Sequence, residues 1–177
     1  MSQSSLEVPA AVTFEQAIAL TESLLSQIEA GSLSEADIAT VISALVKTEN
    51  GARGFFVTYL TSASSAADFP SAAVVEALRS SPEIVSELLV KNIAMSTAQA
   101  IFHRRQQKED MAKGSEQVSR RTTKLIQLVD LPQVRDRAQQ LMHSAKTGEG
   151  DYKGFLERWN YDAKQKQAIC QALEQIN

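Results

Sequence analysis

The sequence predicts an all-α fold, a compact bundle of about eight helices around one long central helix, on three observations. Apolar residues recur at three- and four-residue intervals through most of the chain, residues that start helices stand ahead of several of these runs, and the one β-favourable run has no second strand to pair with. With 177 residues, 44% hydrophobic and 22% charged, the chain has the composition of an ordinary globular protein. A chain of this length buries roughly 70% of its unfolded surface without disulfide staples. No linker-like stretch divides it, so the reading is a flexible arm over residues 1–12 and one helical domain over 13–177.

Thr13 with Gln16 has the spacing of a capping box, and Phe14, Ile18, Leu24, Leu25 and Ile28 follow at helical intervals until Gly31 stops the first helix. Ser34 caps a second, with Leu33 placed as a staple on Ile38 and an apolar face of Ile38, Val41, Ile42, Leu45 and Val46. The short connection makes the two an antiparallel pair. Asn50-Gly51 breaks the pattern, and Phe55, Phe56, Tyr59 and Leu60 follow as a third helix, with a strand over Phe55 to Thr61 as its alternative. Ser62 to Pro70 reads as loop, and a short helix runs from Ser71 to Arg79.

Ser81-Pro82-Glu83 starts the central helix, with a capping hydroxyl, a proline in the first turn and an acid at the positive end of the dipole. Nothing is expected to stop it before about Met111, and Gly114-Ser115 is read as the stop and restart. A helix through Val129, another from Pro132 to about Ser144, an aromatic one carrying Tyr152, Phe155 and Trp159, and a last one capped by Asp162 complete the chain.

On the central helix, stepping about 100° per residue puts Asn92, Ser96, Gln99 and His103 on one stripe between apolar flanks. Read functionally, this is a polar groove offering hydrogen bonds to a small molecule or a partner segment. The plainer reading is that these groups bond to neighbouring helices or face water.

Charge is uneven. Residues 1–76 hold nine acids and two bases, whereas His103 to Lys124 hold seven bases and three acids within a chain of net charge −3. A basic patch of Arg104, Arg105, Lys108, Arg120, Arg121 and Lys124 is the candidate surface for a partner, an acidic protein above all. The competing view is a solvated face offset by the acidic N-terminal helices. Nucleic acid is disfavoured, because only Phe102 offers a stacking aromatic and the isoelectric point is near 5.5. The run Arg120-Arg121-Thr122-Thr123 also has the form of a basic-directed phosphorylation site, a short match that chance often produces.

No catalytic residue, metal ligand set or cofactor motif is nominated. Two histidines, His103 and His143, form no HExxH or Glu-x-x-His pattern, and Gly51-Ala52-Arg53-Gly54 is neither a P-loop nor a dinucleotide fingerprint. Its glycines suit close helix packing or a frayed helix start. The lone Cys170 excludes an intramolecular disulfide and fits a small buried thiol. The N-terminus lacks the form of a signal peptide and no stretch suffices for a membrane span, so a cytoplasmic protein is expected. The expected function is a non-enzymatic adaptor or regulatory module that binds another protein. The alternatives are a small-molecule sensor or enzyme using the polar stripe, and weak nucleic-acid binding through residues 104–124. A homo-oligomer is left open.

Overall fold

The computed structural model describes residues 6–176 and is all-α among them. The described helices are α1 (Phe14–Glu29), α2 (Glu35–Val46), α3 (Glu49–Thr61), α4 (Ala72–Arg79), α5 (Pro82–Arg105), α6 (Glu109–Val129), α7 (Pro132–Thr147), α8 (Lys153–Arg158) and α9 (Ala163–Glu174), with a 3₁₀ turn at Ser65–Ala67. The chain divides into two compact units, one running to Leu88 and the other starting at Leu89, so the division falls within α5.

In the first unit the helix starts follow from local hydrogen bonding. Thr13 and Gln16 form the capping box of α1, and Ser34 with Asp37 forms that of α2. Each box satisfies backbone donors that the first turn of a helix leaves without partners. Asn50-Gly51 is not the break, because α3 begins at Glu49 and the pair lies in its first turn. Thr48 caps it by accepting from the Gly51 N–H at 3.1 Å. Gly51 is required by the preceding helix, since a Cβ there would overlap the Leu45 carbonyl oxygen.

Phe55 to Thr61 is helical, not a strand. Gly54 lets α3 lie close against α1, and Phe55, Phe56 and Tyr59 are buried. Phe55 meets Phe56 edge-on at 5.2 Å and stacks on Tyr59 at 5.1 Å. Helical spacing gathers these rings on one inner face. α2 packs on α3 and α4 and closes the core with Ile42, Leu45 and Val46.

In the second unit, α7 packs on α8 and α9, over a core that includes Leu125, Leu141, Ile169 and Leu173. Asp162 with Gln165 gives α9 its capping box, and the Gln165 amide donates to the Ala98 carbonyl at 3.2 Å, fastening α9 to α5. The buried Cys170 thiol lies 3.9 Å from the Met142 carbonyl oxygen.

The long helix departs from expectation at its end. α5 stops at Arg105, a turn through Gln106, Gln107 and Lys108 follows, and α6 runs without interruption through Gly114. Gln107 takes a left-handed φ of 59°, and the N–H groups of Gln107 and Lys108 close on the carbonyls of Arg104 and His103 at 3.0 and 2.9 Å. The charge order explains the position. Cations at Arg104 and Arg105 suit the negative end of α5, and Glu109 with Asp110 suits the positive start of α6. A mid-helix glycine costs only about 1 kcal/mol, which α6 tolerates at an exposed position.

Candidate functional site

Ser96 and Ser119 define how α5 and α6 meet. Their hydroxyls are 2.6 Å apart, and they stand at nearly equal distances either side of the turn at Gln107, so the two helices run antiparallel. Ser96 is 5% exposed and its hydroxyl also reaches the Ile93 carbonyl at 3.3 Å. The residue expected to line a polar groove is therefore a bond between two helices. Asn92, Gln99 and His103 are half-buried, and the buried Nδ1 of His103 has no hydrogen-bond partner while its ring meets Phe102 edge-on at 5.6 Å.

The basic segment is sorted by the fold into three environments. Arg104 donates to Glu109 at 3.2 Å and pairs with Glu116 at 2.6 Å. Arg105 pairs with Asp162 at the start of α9. These hydrogen bonds from Arg104 and Arg105 hold the Glu109 and Asp162 carboxyls below the usual carboxylate range, and they raise both arginines. The acids that offset these cations belong to the same unit, not to the N-terminal helices.

Arg121 is only 4% exposed and is engaged within the chain, so it takes no part in an exposed patch. The adjacent Thr122 is fully buried, with its hydroxyl donating to the Val118 carbonyl at 2.7 Å. Arg120, Lys124 and Lys108 are exposed.

Arg120 and Lys124 line an open groove of about 500 Å³ in the second unit. α5 contributes Ile93 and Thr97, and α6 contributes Ser119, Arg120, Thr123, Lys124 and Gln127. Ala172 of α9, followed by Gln175 and Ile176, completes it. Ile93, Ala172 and Ile176 are its apolar part; hydroxyls, amides and the two cations are the polar part. None of Asn92, Ser96, Gln99 and His103 lines it. Sequence reasoning missed Thr97, Ser119, Thr123 and Gln127. Helical stepping along α6 would have found the last three, since residues 119, 123 and 127 recur every four positions, beside 120 and 124.

Among the described residues, no group of three or more His, Cys, Asp or Glu side chains is arranged to hold a metal ion, and no helix is long and apolar enough to cross a membrane. Burial raises the Cys170 thiol above its usual range. No curated protein and no solved structure matches the chain. A family model does match, over residues 13–176, from the capping residue of α1 past the end of α9. That match spans nearly the whole sequence, and the chain belongs to the family described as Uncharacterised conserved protein UCP020893.

Proposed function

We propose that this chain is a non-enzymatic helical interaction module, of adaptor or regulatory kind, that holds a segment of another protein in the groove of α5, α6 and α9. The observation that carries the reading is the groove, an open trough inside one unit lined by both apolar side chains and hydrogen-bonding groups. Protein surfaces are bound in this way, by an apolar anchor with a polar rim. Small-molecule sites enclose most of their ligand, which an open trough does not. The stripe on α5 offers the small-molecule reading less support, because Ser96 is already bonded to Ser119. Nucleic acid is weakly supported as well. Arg104 and Arg105 are matched by carboxylates, Arg121 is buried, and among the described residues no aromatic ring lines the groove for a base to stack on.

A photo-crosslinking residue placed at Thr123 in the cell of origin tests the proposal, with exposed Thr40 on α2 as control. The expected result is a discrete crosslinked protein from Thr123 and none from Thr40. Absence of any crosslinked protein from Thr97, Thr123 and Gln127 alike would overturn the reading.

A further inference from the structure

We infer that the occupant of this groove is an acidic segment of a partner protein, with Arg120 as the residue that recognises its carboxylate; the inference rests on the groove being an interaction site. The lining is one-sided in charge. Among the described residues it carries Arg120 and Lys124, its remaining polar groups are hydroxyls and amides, and no Asp or Glu lines it. The fold matches Arg104 and Arg105 with carboxylates of their own, yet Arg120 has no hydrogen bond or ion pair among the described residues.

A partner that covers the groove removes water from Arg120. A neutral partner then leaves a guanidinium desolvated without compensation, and a basic one adds repulsion. A carboxylate replaces the lost water with two parallel hydrogen bonds in the fork geometry that arginine presents. Spacing narrows the chemistry further. Arg120 and Lys124, the latter also engaged within the chain, are one helical turn apart on α6, so acids three or four residues apart on a helical segment face both, and an apolar side chain between them rests on Ala172 and Ile176. The net charge of −3 opposes long-range attraction of an acidic partner, which makes recognition a short-range matter of contact with the groove.

Selection from a displayed random-peptide library against the full chain provides the test, followed by fluorescence anisotropy on the selected peptides. Expected are peptides enriched in Asp or Glu at spacings of three or four with an apolar residue between. Affinity for them should fall about tenfold with Arg120→Glu and less with Arg120→Gln, and more salt should weaken it. The reversed variant should in turn select basic peptides. Helical circular dichroism confirms that the variants fold; should Arg120→Glu not, the Arg120→Gln comparison decides alone.

Peptides without acid enrichment, or acidic peptides bound equally by the variants, overturn the inference. So do Arg120-dependent binding to anionic phospholipid vesicles without peptide binding, and an Arg120-dependent dimer in sedimentation, which would name a lipid surface or a second copy as occupant. If no peptide is selected while the Thr123 crosslinker still captures a protein, the acidic segment fails and the interaction module stands. If both experiments fail, both fall.

Discussion

Gly54 sits where α3 passes α1 so closely that a Cβ would overlap Ala17 Cβ and come within 2.8 Å of the Phe14 carbonyl oxygen. Backbone cannot yield as a flexible side chain does, so Gly54→Ala should cost about 2 to 3 kcal/mol, measured by urea denaturation. Tyr161 offers a second residue-scale test. It is 8% exposed, its hydroxyl has no hydrogen-bond partner, and burial pushes its pKa from 10.0 to about 12. Between those values the unfolded chain has lost the proton and the native chain keeps it, so stability is intact below pH 10 and falls as pH rises through the window. A late tyrosinate component of an absorbance titration should be lost in Tyr161→Phe. The sequence offered close packing or a frayed helix start for Gly51 and Gly54, and in the fold both lie in close packing. It could not show that Arg120 is exposed and Arg121 buried. Neighbouring positions on a helix point about 100° apart, and only knowing which way α6 faces separates two identical side chains.

At the scale of elements, the helix starts were legible, because a capping box is written within four residues and needs no tertiary information. Thr13, Ser34 and Asp162 all cap as their spacing implied. The end of α5 was harder. Gly114 looked like the natural break, yet the change from Arg104-Arg105 to Glu109-Asp110 marks the true one, reinforced by the Arg104–Glu109 pair across the turn. The length of α5 does not settle which of its leucines matter. Leu89 is fully buried and Leu88 only half-buried. Leu89→Ala is therefore expected to cost about 2 to 5 kcal/mol, and Leu88→Ala clearly less, in paired denaturant titrations. Equal losses would mean that burial along this helix is not what the structure describes.

For the molecule as a whole, the fold class was legible because helical periodicity repeats along the chain, whereas the groove was not. It depends on side chains from three separated helices, and sequence spacing reports only those on one. Charge behaves likewise. The excess of bases between His103 and Lys124 was visible, but its division into paired, buried and groove-lining cations required the fold. That division predicts an asymmetry between two reversals. Arg104→Glu sets a carboxylate against Glu109 and Glu116 and should lower the melting midpoint, whereas Arg120→Glu should leave it unchanged, both followed by helical circular dichroism. Equal effects would show that Arg104 contributes nothing through its pairs.

The closed environment of Thr122 bears on time more than on binding. Its hydroxyl is fully buried and already bonded to the Val118 carbonyl, so no kinase reaches it while α6 is formed. A phosphate on Thr122 would have to be added during synthesis or during a local opening of the helix, and would then oppose its closing. Chains carrying it in a cell extract would thus count molecules caught outside the native state, and their abundance would follow the rate of synthesis and the frequency of opening instead of any signal read by the folded protein.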